Sequence, residues 1–381
     1  MPEVPHGRVR RGWDAIDATM PRWAAVVENR PVVAFVDHCL RGIGQIVFVN
    51  NPVSGAGILL AMYVSSAWVG VAVTVGVVVA TATARALGME RDLTADGLYG
   101  FNGALVAGAL AFLLSPAWSI TVLVYGALGA AASTVLMAAL VRVFIGGWGV
   151  PPVTLPFNLL TMGMLACTFA VTHLQGGSAL TPRQLPLPEI TTPVRSAAGA
   201  VGENDLAGLG HAVVHGLGTL VLSGQFASGV IVVVAMAVCS RILALMAVAG
   251  SLVGALTGLA LGGDGVLIYT GFWGYNSFVC AVAIALLYVF TWRSVLFALG
   301  CAVVGAVLYG ACSALLGPVG VPALTLPFCL ATLMFLLAGR SASGLVAVPL
   351  DRLSTPEQHR IRRREELEAA PGGARTTGVP D

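Results

Sequence analysis

Long apolar stretches separated by short polar breaks run through most of the chain. They fall at about 31–50, 53–65, 67–87, 102–114, 117–142 and 152–172, and again at about 206–222, 228–247, 248–262, 277–290, 293–317 and 321–339. Each predicts a helix in lipid. Several are short: a run of about 14 residues rises only roughly 20 Å, against a hydrocarbon core of about 30 Å. Such segments must tilt, join a neighbour or re-enter, and irregular backbone at membrane depth is tolerated only where it lines a cavity or is buried in protein.

The pattern repeats. Ser54-Gly55 recurs as Ser228-Gly229, Ala86-Leu87-Gly88 as Ala260-Leu261-Gly262, and Gly97-Leu98-Tyr99-Gly100-Phe101-Asn102 as Gly271-Phe272-Trp273-Gly274-Tyr275-Asn276, all at one offset of 174. Thr154-Leu155-Pro156-Phe157 returns as Thr325-Leu326-Pro327-Phe328 at an offset of 171, as one shortened loop would produce. The expected fold is an all-α polytopic membrane protein: two inverted repeats of about five transmembrane helices each, plus one half-spanning re-entrant helix per repeat. An odd number of crossings per half inverts one half against the other, and inverted repeats place a substrate path at their interface near the bilayer midplane.

Composition agrees. The 381 residues are 57% hydrophobic and 10% charged, with mean hydropathy +0.88, whereas charged residues make up about a quarter of a soluble domain. A water-soluble enzyme is excluded. Only 16 charged residues lie between Pro31 and Gly339. Lysine is absent, and the arginines crowd the ends, Arg8, Arg10, Arg11, Arg22 and Arg30 before the apolar region and Arg340, Arg352, Arg360, Arg362 to Arg364 and Arg375 after it. Positive residues stay inside, so both termini are expected in the cytoplasm and the protein in the inner (plasma) membrane. The division that follows is a polar cytoplasmic extension at 1–30, a first membrane repeat at 31–174, an extracytoplasmic connection at 175–205, a second repeat at 206–340 and a charged cytoplasmic tail at 341–381. The first thirty residues, with several acids and prolines ahead of any apolar run, do not have the layout of a cleaved signal peptide, and an amphipathic helix is expected from Trp13 to Val27. The net charge of +2 gives no reason to expect a nucleic-acid partner. Seven cysteines are scattered singly and read as buried thiols.

Candidate chemistry is sparse and symmetric. The segments 97–102 and 271–276 each place two glycines three apart beside an asparagine, either for close helix packing or as the end of a half-spanning helix whose carbonyls line a pore. Asn102 and Asn276 are expected to tie the bend to backbone. Leu105 and Val279, one turn on, are apolar lining or core. Thr154 and Thr325, each before Leu-Pro-Phe, make a symmetric pair of hydroxyls at the centre of a two-fold pore. Gln45 must face a partner helix or a lumen, because an unpaired amide in apolar surroundings is costly; Phe48 follows a turn later, and their repeat mates are Thr219 and Leu222. His211 and His215 sit four apart but lack the acid of HExxH and an evident third ligand, so neither metal nor cofactor is expected. Asp37 and Asp264 have no acidic neighbour in sequence, which argues against ion coupling.

Taken together these residues resemble the urea transporter family. Leu40-Arg41-Gly42-Ile43-Gly44-Gln45 through Asn51-Pro52-Val53-Ser54-Gly55 is similar to its first signature, Gly97 to Asn102 to its second, and Thr154 to Asn158 to its third. The resemblance spans nearly all of 35–340 and points to a bacterial member. It implies ten crossings with two half-spanning helices, a pore inside each subunit, a homotrimer, and passive flux of urea. Urea is neutral, flat and rich in N–H donors, so a slot for it needs acceptors at its edges and apolar walls. Helix-end carbonyls with the oxygens of Gln45, Thr154 and Thr325 would supply the acceptors, and Phe48, Phe101 and Tyr275 the walls. Three positions depart from the family pattern: Thr219 stands where a second glutamine or glutamate is usual, Leu222 where a phenylalanine is, and Gln225-Phe226 replaces the Asn-Pro of the first half. Other readings are a channel for a short amide, ammonia or water, a membrane enzyme, and a scaffold that carries nothing.

Overall fold

The computed structural model describes residues 16, 18–177, 180 and 206–369. After a short helix α1 (Pro21–Val27), the first half runs α2 (Pro31–Gln45), α3 (Pro52–Ser65), α4 (Ala67–Ala86), α5 (Arg91–Ala95), α6 (Gly100–Leu113), α7 (Ile120–Val143, continued by one π-turn to Trp148) and α8 (Leu155–Thr168). The second half repeats it as α9 (Leu206–Leu220), α10 (Phe226–Cys239), α11 (Arg241–Ala260), α12 (Gly265–Tyr269), α13 (Tyr275–Leu287), α14 (Trp292–Leu316) and α15 (Leu326–Gly339), and α16 (Pro356–Ala369) follows. Helices α4, α7, α11 and α14 are long and apolar enough to cross a membrane unaided. The others alternate with them and pack between them, α6 on α4 and α7, α13 on α11 and α14. Every residue of α13 is buried, and of α6 all but Phe112.

The repeat extends to backbone conformation. Left-handed glycines occur in pairs, Gly88 with Gly262, Gly97 with Gly271 and Gly149 with Gly320. Four of the left-handed residues with side chains do too: Phe48 (φ 63°) with Leu222 (φ 59°), and Val153 (φ 47°) with Leu324 (φ 48°). This conformation costs an L-residue roughly 1–2 kcal/mol, and outliers that recur in both halves mark places where function outweighs local strain. The halves meet directly, α3 lying against α10.

Three expectations need correction. The second half does not break at 247 but at Ser240, whose hydroxyl caps α11 by accepting from Leu243 N at 3.1 Å, as Ser66 caps α4 through Val69 N at 3.4 Å. A continuous helix from Trp13 to Val27 is not formed, because Ala18 and Met20 are left-handed and α1 begins only at Pro21; Trp13 itself lies outside the described residues. Cys167 is exposed, whereas the other six cysteines are buried as expected. The connection at 175–205 is described only at 175–177 and 180, and Gln175–Gly176 pairs antiparallel with Leu114–Ser115.

The tail is anchored. Glu357 at the start of α16 accepts from Ser240 Oγ at 2.8 Å and from Ile242 N at 2.9 Å, adding a charged cap to the positive end of α11. Charge-assisted caps hold roughly 1–2 kcal/mol. Replacing Glu357 by alanine is expected to speed hydrogen exchange of the α16 amides about tenfold; unchanged exchange would mean the cap does not hold the helix.

Candidate functional site at the interface of the repeats

Two of the four strained residues, Val153 and Leu324, directly precede Thr154 and Thr325. Thr154 and Thr325 are the N-cap residues of α8 and α15, 6% and 3% exposed, and their hydroxyl oxygens lie 2.7 Å apart. An N-cap threonine ordinarily turns its oxygen onto the amide two or three residues on, yet neither does so here. The reason is a substitute. Asn102 of α6 accepts from Phe157 N at 3.1 Å, and Asn276 of α13 accepts from Phe328 N at 3.1 Å. Pro156 and Pro327 carry no amide hydrogen. Asn102 thus caps α8 and Asn276 caps α15 from outside, which frees each threonine to face its mate across the repeat axis. The backbone-tying role expected of Asn102 and Asn276 therefore has a specific target.

Asn158 and Cys329, which occupy equivalent positions of the two halves, adjoin the threonines. Asn158 Nδ2 lies 2.8 Å from Thr154 O and 3.0 Å from Thr325 Oγ1, and Cys329 Sγ lies 3.1 Å from Thr154 Oγ1. The sequence reading missed both, since an amide matched with a thiol leaves no visible repeat.

The segments 97–102 and 271–276 open helices; they do not end them. Their glycines serve close packing, with α2 pressed onto the first turn at Gly42 and α9 onto the second at Gly216. The helix ends that leave carbonyls open belong to α2 and α9. Among the described residues nothing donates to the carbonyls of Ile46, Val47 and Phe48, nor to those of Leu220 and Val221 in the second half, while the carbonyl of Leu222 is 3.5 Å from Ser65 Oγ. The left-handed turn at Phe48 and Leu222 keeps these carbonyls out of further helix.

Gln45 closes α2, half-buried, and donates from Nε2 to Asp96 O at 2.9 Å. Its mate Thr219 donates from Oγ1 at 2.8 Å to Thr270 O, the carbonyl equivalent to that of Asp96, and lies equally close to His215 O. The shorter side chain keeps the same contact, so the departure at 219 changes the exposed chemistry and leaves the scaffold alone. Asn50 donates to the Asp96 carboxylate at 2.7 Å, and both line a cavity of about 1460 Å³ that also borders Asp37, Arg41 and α1. Burial raises the pKa of Asp96, and the Asn50 amide opposes that shift.

Phe48 packs edge-on against Phe328 of the other half, ring centres 5.8 Å apart. Leu222 reaches across the opposite way, toward Gly108 of α6. Phe101 and Tyr275 are buried on the first turns of α6 and α13, with Leu105 and Val279 one turn further, 2% and 1% exposed. The Tyr275 hydroxyl donates to Leu324 O, fixing its ring edge-on to Tyr309 at 5.8 Å. At the Asn-Pro departure, Asn51 caps α3 by accepting from Val53 N at 2.9 Å and holds Ala18 O at 2.7 Å, whereas Gln225 makes no cap.

Asp37 pairs with Arg41 at 2.6 Å, both 4% exposed, and accepts from Trp23 at 2.8 Å. Arg41 also donates to Thr19 O and Asn50. A buried pair of this kind orients its neighbours without need of a second acid. His211 and His215 occupy the equivalent positions in α9 and pack against the rings of Tyr269 and Phe226, His211 stacked on Tyr269 and tilted against Phe226 at 4.8 Å.

The sequence that builds this site is similar to those of known proteins. A family model described as urea transporter matches residues 36–340. The chain is 31% identical to Urea transporter 1 of Ovis aries over 365 residues, covering 94% of this chain and 92% of that protein. It is 32% identical to Urea transporter 1 of Mus musculus over 349 residues, covering 91% and 88%. The match spans both repeats and every candidate residue above, and the chain, an all-α multi-pass membrane protein, belongs to the urea transporter family.

Proposed function

We propose that the protein is a channel-like urea transporter through which urea diffuses down its gradient along a slot between two inverted repeats. The observation that carries this reading is the meeting of Thr154 and Thr325 at two helix N-termini, with unpartnered helix-end carbonyls in each half. Open carbonyls accept the N–H groups of urea one after another, replacing water in steps. At the centre the positive ends of α8 and α15 face the solute. They favour a carbonyl oxygen and disfavour a cation, so neutral urea passes where ammonium does not.

Gln45, Phe48 and Phe101 form the slot on one side of the centre and Thr219, Leu222 and Tyr275 on the other, with Leu105 and Val279 as walls beside the threonines. No coupling ion enters this scheme. The subunit sits in the inner membrane with both termini in the cytoplasm, its exposed apolar helices facing lipid and neighbouring subunits of a homotrimer.

Purified protein in proteoliposomes, tested by stopped-flow light scattering with urea, acetamide, ammonia and water, should pass urea at least about tenfold faster than empty vesicles. Urea entry no faster than in empty vesicles would sink this reading, and faster entry of another solute would transfer it to that solute.

A further inference from the structure

Asn158 is fully buried and held at the point where the two threonines meet. Which of its side-chain atoms faces them is fixed by chemistry. The atom 2.8 Å from Thr154 O approaches a carbonyl, which only accepts, so it must be the NH₂ group. That same group lies 3.0 Å from Thr325 Oγ1, with Thr154 Oγ1 and Cys329 Sγ both at 3.4 Å. Thr325 Oγ1 therefore receives a hydrogen from Asn158, and its own hydrogen is directed along the 2.7 Å contact to Thr154 Oγ1. Thr154 then holds the free hydrogen, with Cys329 Sγ, a weak acceptor, at 3.1 Å.

The pair of hydroxyls is symmetric in sequence but not in hydrogen order, because the position equivalent to Asn158 holds Cys329, which cannot donate with comparable strength. The Oδ1 of Asn158 is buried and has no hydrogen-bond partner among the described residues, so the bonds that hold the amide in place are those of its NH₂ group, and these run to Thr154 O and Thr325 Oγ1.

We propose that Asn158 is a positioning residue that orders the hydrogens at the centre of the slot, making Thr154 the donor and Thr325 the acceptor that a passing solute meets. This rests on the urea-channel reading and adds what it lacks, a polarity. Urea has a carbonyl to accept from Thr154 and N–H groups to donate to Thr325. Thiourea matches it in shape but offers sulfur, a weaker acceptor, and so gains less from a hydrogen fixed on Thr154. Without Asn158 the two hydroxyls exchange donor and acceptor roles freely, and the advantage of urea shrinks.

The test measures urea and thiourea flux in proteoliposomes for the wild type, N158C, N158L and the exchange variant N158C/C329N. Replacing the amide by cysteine or leucine should lower urea flux about tenfold and thiourea flux less than about twofold, so that their ratio falls at least about fivefold. Moving the amide to the equivalent position reverses the hydrogen order and should restore the ratio to within about twofold. A ratio that stays at the wild-type value in N158C and N158L, even if both fluxes fall together, would assign Asn158 a purely structural role and overturn the proposal. So would an exchange variant that is monodisperse yet keeps the low ratio. If the exchange variant does not fold, N158L decides alone, since leucine keeps the amide's branched heavy-atom skeleton and removes its donors. A wild-type protein that passes no urea overturns the channel reading itself, a result distinct from these.

Discussion

Urea flux is expected to fall about thirtyfold to a hundredfold when Thr154 and Thr325 are both replaced by valine. Valine keeps the shape of threonine and removes the hydroxyl, so the slot should neither collapse nor widen. A hydrogen bond contributes about 1–1.5 kcal/mol net, and two of them about 2–3 kcal/mol, where each 1.4 kcal/mol is tenfold. Part of the loss comes from Asn158, whose NH₂ group is left facing a methyl group in place of Thr325 Oγ1. Single valine variants should show smaller losses, because one hydroxyl can still meet the solute. The measurement is initial flux in proteoliposomes, with thermal unfolding in detergent as the check that the protein stays intact. Flux within about threefold of wild type in the double variant would remove this centre from the pathway.

The second large effect concerns the backbone. Gly97 (φ +74°) and Gly271 (φ +83°) are left-handed, and a Cβ at either would collide with the main chain of the helix above, at Gly42 N and Gly216 N. Neither clash can be relieved by turning a side chain. Left-handed strain of roughly 1–2 kcal/mol adds to overpacking of about 1–3 kcal/mol, so alanine at either position should lower the melting temperature by about 10 °C or more and abolish flux. G88A is the matched control: Gly88 is left-handed too (φ +62°) but faces open space, so only the smaller conformational strain remains. Equal melting temperatures for G97A and G88A would show that the approach of α2 to the turn is not needed.

Much of this was legible in the chain because the repeat is written twice. Thr154 and Thr325 stood out as a pair, and the structure brings their oxygens together. The family followed from three signatures in order. Other features were hidden for physical reasons. Open carbonyls end α2 and α9, not the glycine segments, because Phe48 and Leu222 take a left-handed conformation with no glycine to announce it. Asn158 was invisible as a partner of Cys329, since hydrogen-bonding roles differ where repeat positions coincide. The boundary at Ser240 could have been found from its mate Ser66, which caps the equivalent helix. The Asp37–Arg41 pair was missed because acids alone were sought as partners for Asp37, while Arg41 sits one helical turn away.

The contact between Thr154 and Thr325 also bears on how the molecule moves. It ties one repeat to the other at a buried point, Phe48 against Phe328 adds a second tie nearby, and Ser228 Oγ on Ala61 O adds a third between α10 and α3. A carrier that rocked its two halves to expose a site first to one side and then to the other would have to part these groups in every cycle. A fixed slot leaves them in place, and the pace of transport is then set by the solute's steps between neighbouring oxygens and not by the swing of the protein.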